Sequence, residues 1–126
     1  MKKNLYENQY ASFWIQDDWL LCIKYKKELE ITLDVAIDCT KIRMDVSENT
    51  LMPMFTDGRN IKSIQKEARE YLGKQGTKFV KAGAFLIQSP FERMIGNVFV
   101  KINRPQVPTE FFTNENEALK WLEKYK

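Results

Sequence analysis

From Leu29 to the C-terminus, short apolar runs of strand length alternate with longer runs of helical period, and the alternation occurs four times. No other feature of the chain narrows the fold as far. Strands separated by amphipathic segments of about 10–15 residues form a sheet with parallel pairs and helices packed against it.

A different pattern precedes it. In YASFWIQDDWLLCIKYK, Phe13 and Ile15 come before Asp17-Asp18, and Leu21, Ile23 and Tyr25 follow, with period two on both sides. The Asp pair suits a tight connection, so this segment is a β-hairpin. Trp14 and Trp19 flank its turn, where an exposed aromatic would suit a partner surface or a homodimer. Leu29 and Ile31 form a short third strand. Thr32 caps a helix over residues 33–47, with Leu33, Ala36, Ile37, Thr40 and Met44 on one face and Asn49 as its stop.

TLMPMFTDG has the continuous apolarity of a central strand. Pro53 cannot donate to a ladder, so the strand needs an edge position or a bulge. SIQKEAREYLGKQG reads as a helix capped by Ser63, burying Ile64, Ala68, Tyr71 and Leu72 and ending at Gly73 or Gly76. KFVKAGAFLIQ is the next strand. SPFERMIGNVFVKINRP is the most regular helix: Ser89 caps it, Pro90 takes the first position and Pro105 forbids continuation. Its apolar residues, Phe91, Met94, Ile95, Val98, Phe99 and Ile102, make a wide stripe that reads first as core. Under a lid-like helix the same stripe would line an apolar pocket, with Phe91, Ile95, Phe99 and the strand at 79–87 around it. Pro108 leads into a strand, TEFF, and Asn114 caps a last helix burying Ala118, Leu119 and Leu122. The whole is expected to be one α/β domain over residues 1–126 with a mixed sheet, the hairpin first, and residues 1–9 as a loose N-terminal segment.

A chain of 126 residues can bury about two-thirds of its unfolded surface, so it folds without a disulfide or a metal. Cys22 and Cys39 lie in apolar and helical runs and read as small buried hydrophobes. The N-terminus lacks the apolar core of a signal peptide, and the apolar runs fall far short of the ~20 residues of a membrane span, so a cytoplasmic location is expected. The chain has no His. That removes Ser-His-Asp and Cys-His catalysis, His metal sites and His pH switches together. The carboxylate pairs Asp17-Asp18, Glu67/Glu70 and Glu115/Glu117 sit at turns or helix surfaces, with no cleft to make them an acid–base pair. No enzyme, cofactor or metal is expected. Residues 60–104 carry nine basic and three acidic side chains, enough to attract an anion. They lack the dense basic patch with interleaved aromatics that nucleic-acid binding needs.

Two stretches stand out as sites. In TDGRNIKS, Asp57-Gly58 closes a strand and Ser63 opens a helix. A phosphate cradle would need more Gly than Gly58 alone. A phosphorylation switch would need Ser63 exposed at a helix start. The simplest reading is a turn and an N-cap, at the end of the sheet where open α/β folds place ligands. On the helix at 90–103, Arg93, Asn97 and Lys101 recur every four residues with Arg104 just beyond, a stripe able to hold a phosphate, a lipid headgroup or an acidic partner, or simply to be the wet side of the helix. Gly96 beside it calls for the close approach of another backbone or a ligand.

The C-terminal half, with its strand, amphipathic helix, Pro-containing turn, EFF strand and NENEALKWLEKY, resembles the SpoIIAA-like families of the STAS-type fold. Those chains commonly end in an EAxxWL helix, which Glu117, Ala118, Trp121 and Leu122 match. The run DGRNIKSIQKEAREYL is similar to one bacterial branch of uncharacterised proteins in this group, and the resemblance spans residues 10–125. It implies a regulatory or protein-interaction module without enzymatic activity, as in the anti-sigma-factor antagonists, where a Ser at a helix start after a central strand is phosphorylated. Ser63 is the matching position, but the antagonist loop ends in a Ser-Ser-Gly type sequence and no Gly follows Ser63. The CRAL-TRIO lipid carriers share the topology, which implies a second possibility: a small carrier of an apolar or lipid-like ligand beneath the helix at 90–103. The partner would be another protein, a second copy, or a small apolar or anionic ligand.

Overall fold

The computed structural model describes the backbone of all 126 residues and every side chain except that of Phe91. In chain order the elements begin with β1 (Lys2–Glu7), β2 (Ala11–Gln16), β3 (Leu20–Tyr25), β4 (Leu29–Ile31), α1 (Leu33–Val46), β5 (Met52–Asp57) and β6 (Ile61–Ile64). They continue with α2 (Lys66–Gly73), β7 (Val80–Leu86), α3 (Pro90–Asn103), β8 (Thr109–Phe112) and α4 (Glu115–Glu123). Six strands form one mixed sheet in the order β1-β2-β3-β5-β7-β8. The first three are antiparallel, and β3, β5, β7 and β8 run parallel through the crossovers that the alternating pattern demands. β4 and β6 pair separately as a short parallel ribbon.

The hairpin of β2 and β3 turns on Asp17 and Asp18, both in the left-handed region at φ 52° and 64°. Asp tolerates that conformation, and it matches the twist of the strands it joins. Residues 1–9 are not a loose segment. Lys2–Glu7 pair antiparallel with β2, and the N-terminal ammonium lies 2.6 Å from the Asp17 carboxylate. Every side chain of β1 is exposed, so its apolar pattern carries no trace of the pairing.

Three of the four expected helix caps are present. Thr32 accepts from the Val35 amide, Ser89 from Glu92 and Asn114 from Glu117. The buried face of α1 keeps the expected Ala36 and Thr40 but is completed by Val35, Cys39, Arg43 and Val46, while Ile37 and Met44 are half-buried and Leu33 is exposed. The rotation brings Arg43 inward, where its guanidinium donates to the carbonyls of Gly76 and Lys78. β5 is central, and Pro53 sits where the β5–β7 register slips between Met52 and Met54, so the ladder loses no bond there.

Ser63 is not a helix cap. It lies within β6, paired opposite Glu30, and its hydroxyl is 3.2 Å from the Glu30 carboxylate. The helix starts later, at Lys66, with Gln65 at the cap position making no side-chain bond. β4 supplies the reason: its backbone captures residues 61–64, and the Gln65 amide donates to the Ile31 carbonyl. A partner strand more than 30 residues earlier leaves no local signal.

The sheet separates two apolar layers. On one face Leu20, Cys22, Phe55, Ala84 and Leu86 pack under Ala118 and Leu122 of α4. On the other, Phe13, Ile15, Leu21 and Ile23 pack under Val35, Ala36 and Cys39 of α1 and Ala68 of α2. Both cysteines are buried and unpaired, and burial pushes each thiol up to about 12, so they stay protonated and unreactive at neutral pH.

Candidate functional site

Strand alternation sends Ala82, Ala84 and Leu86 of β7 towards α4, and so sends Gly83 and Phe85 to the opposite face. There the cover is incomplete. α1 and α2 pack over β2 and β3, and α3 packs on β8 at the far edge. A cavity of about 290 Å³ lies between them. Met54, Gly83, Phe85 and Phe111 supply its floor, Ile61, Ile64 and Leu72 one wall, and Ile95 and Phe99 of α3 the other. It reaches solvent past the exposed Lys62 and Ser63. Its ionisable lining is Lys62, Arg69 and Glu92, and Arg69 already donates to the Ile64 carbonyl at 2.7 Å.

Among the described side-chain positions, α3 comes closest to the sheet at Gly96. Gly96 is the sole buried residue among the described side-chain positions of α3. A Cβ built there would lie 2.5–2.8 Å from three ring atoms of Phe111. That ring cannot easily retreat, because it stacks on Phe85 at 5.1 Å and meets the edge of Phe99 at 6.2 Å. Gly96→Ala therefore sets a helix-propensity gain of about 1 kcal/mol against an overpacking cost of about 1–3 kcal/mol. The expected outcome is a net loss of about 1 kcal/mol, read as a lower urea midpoint. A higher midpoint would mean that Phe111 moves freely and that Gly96 does not set the height of α3.

The apolar stripe of α3 is not core. Met94, Ile95, Val98 and Ile102 are 56%, 53%, 49% and 73% exposed. Ile95 and Phe99 face the cavity, whereas Met94, Val98 and Ile102 look outward. The expected role of Phe91 lies outside the described side chains.

Of the six residues singled out from the sequence, two line the cavity. Gly58 does so as its amide donates to the Leu86 carbonyl at 2.9 Å, and Ser63 does so from β6. Asp57 stands just before Gly58, buried and clasped by Arg59 through bonds of 3.0 and 2.8 Å. Burial alone would raise its carboxyl, but the Arg59 guanidinium and amide outweigh that and hold it below the usual range. Asp57 is thus a locked part of the turn. Arg93, Asn97 and Lys101 are exposed on the outer side of α3 and take no part in the cavity. Ile95, Phe99 and the strand at 79–87, which supplies Gly83 and Phe85, do line the cavity as the carrier reading expected, whereas the floor residues Met54 and Phe111 were not singled out. The small-residue run Ala82-Gly83-Ala84 was their one sequence signal, since a strand with no side chain at its midpoint leaves room above it.

No curated protein matches the chain. Among solved structures it is similar to the crystal structure of an uncharacterized protein of the DUF3478 family with a SpoIIAA-like fold from Shewanella loihica PV-4. The TM-score is 0.64 and the identity 16%, over 93% of this chain and 98% of that one. At that identity the likeness establishes the fold and nothing further. The mixed α/β domain has a SpoIIAA-like fold. A family model described as a domain of unknown function, DUF7793, matches residues 13–126, and the chain belongs to that family.

Proposed function

We propose that this chain is a non-enzymatic binding module whose ligand is a small apolar molecule, or the apolar part of a larger one, held between α3 and the sheet. The observation that carries this reading is the cavity. At about 290 Å³ it stands at the lower edge of small-molecule pockets, and its lining is mostly aliphatic and aromatic with few polar groups. A closed apolar void costs roughly 24 cal/mol per Å³, several kcal/mol at this size, and even a half-open one is a large departure from close packing. Two glycines maintain it: Gly83 leaves the floor bare, and Gly96 lets α3 seat against Phe111. The three ionisable groups at its lining are of mixed sign and do not converge as an acid–base pair, which supports binding over catalysis. The switch reading at Ser63 gains no support, because Ser63 is in a strand beside the Glu30 carboxylate, where a phosphate would be repelled and no helix dipole would favour it.

The test is titration of the purified protein with N-phenylnaphthylamine, an uncharged fluorophore that brightens in apolar sites, together with native mass spectrometry of protein isolated from its host. Saturable one-to-one brightening at micromolar concentrations, or a co-purifying mass of a few hundred daltons, is the expected result. A chain that carries nothing and leaves the dye dark would overturn the carrier reading. It would leave a protein-interaction module of the same fold.

A further inference from the structure

We infer that the outer face of α3 docks on an anionic lipid surface. The inference stands on that face alone and does not require a ligand in the cavity. Met94, Val98 and Ile102 recur every four residues along α3 and are half to three-quarters exposed, with nothing packed over them. Ile95 adds a fourth exposed side chain at the mouth of the cavity. Four large apolar groups on one helix exceed the scattered single exposures of an ordinary surface.

Charge decides the occupant. The exposed charged residues of α3 and its cap are Arg93, Lys101 and Arg104, all basic. Its one acidic residue, Glu92, is half-buried, lies at the cavity and is 3.3 Å from the Ser89 hydroxyl in the capping turn. An apolar stripe with only basic groups on the adjoining face is the pattern of a helix lying in the plane of a membrane interface. The apolar side chains enter the acyl boundary while Lys and Arg stay among anionic headgroups. A second copy of the chain fits less well. A two-fold α3–α3 contact would set Arg93, Lys101 and Arg104 against their own mates with no acidic residue between them.

The experiment is co-sedimentation with vesicles of equal parts phosphatidylglycerol and phosphatidylcholine, and with pure phosphatidylcholine vesicles, at low and high salt. The full chain is expected to pellet with the anionic vesicles, at least about tenfold more than with neutral ones, and to release as salt rises. Val98→Asp/Ile102→Asp should abolish the pelleting, and Arg93→Glu/Lys101→Glu should cut it about tenfold or more. None of these four positions lines the cavity, so N-phenylnaphthylamine binding should persist in both variants and confirm that they fold. Failure of the dye to bind wild type would therefore fault the cavity and not the docking face. Wild type that stays in the supernatant, or pellets equally with neutral vesicles, overturns the inference. So does a dimer in sedimentation velocity that Ile102→Asp dissolves in a chain that ignores vesicles, which would assign the face to a second copy.

Discussion

Replacing Arg43 by Ala is expected to destabilise the fold by about 3–5 kcal/mol, through loss of a buried, hydrogen-bonded charge and the void left behind. Arg43 is 2% exposed. Its two terminal nitrogens each donate at 2.7 Å, one to the Lys78 carbonyl and one to the Gly76 carbonyl. No carboxylate pairs with it among the described residues. Burial pulls its guanidinium down to about 10, so it is still charged at neutral pH and is solvated by backbone dipoles. The two carbonyls belong to the single-turn 3-10 helix Gln75–Thr77 and the residue after it, which join α2 to β7. Phe79 follows with φ at 64°, a conformation that costs a bulky residue energy and needs its neighbours fixed. Arg43 thus ties α1 to the crossover that closes one end of the cavity at Gly76.

Two substitutions separate volume from hydrogen bonding. Arg43→Met keeps most of the stem and loses both donors, and is expected to cost about 2 kcal/mol for two orphaned carbonyls. Arg43→Ala adds the void, and at this chain length its melting midpoint should fall by about 10–20 °C. Calorimetry and urea unfolding would read both. Wild-type stability in Arg43→Met would mean that water satisfies the carbonyls and that the crossover does not need the clamp.

Arg43 also shows where sequence reasoning stops. An amphipathic reading sends charged residues outward, and on that logic α1 presents Leu33, Ile37 and Met44 to the core. A buried Arg with carbonyl partners more than 30 residues away turns the face, so that Ala36 and Thr40 stay inside while Leu33 comes out, and nothing in the helix itself signals it. What was legible is local. Thr32, Ser89 and Asn114 mark helix starts because an N-cap satisfies an amide two or three residues on. Pro105 marks a helix end for a similarly local reason. What was not legible depends on distant partners. β1 is an edge strand with no buried side chain, and β6 is a strand only because β4 lies beside it. The site divides in the same way. Gly58 and Ser63 both line the cavity, but Ser63 is in a strand and is not the helix cap that the local sequence suggested. The stripe on α3 was correctly read as apolar. Its exposure depends on how far α3 stands off the sheet, which Gly96 and Phe111 set from different elements.

Gly83→Leu should abolish binding of an apolar probe, by about a hundredfold or more, while leaving the fold as stable as wild type or more so. The two glycines at the cavity respond oppositely to a side chain. A Cβ at Gly96 strikes an aromatic ring, whereas a Cβ at Gly83 meets nothing within 4 Å. Gly83 is in the interior of β7, with Met54 beside it on β5 and Thr109 on β8, and its φ is not positive, so a branched side chain is tolerated there. Leu would rise from the floor into the volume bounded by Phe85, Ile95 and Phe99. Burying that side chain is worth about 1.5–3 kcal/mol, and removing a Gly from a strand interior adds to it. Some of the gain is lost to imperfect fit, so a rise of about 1 kcal/mol in unfolding free energy is the expected balance. Loss of binding with gain of stability is a signature that damage to the fold cannot produce. Gly83→Leu that binds N-phenylnaphthylamine as wild type does would place the dye elsewhere. It would leave the void beneath α3 a packing defect and not a site.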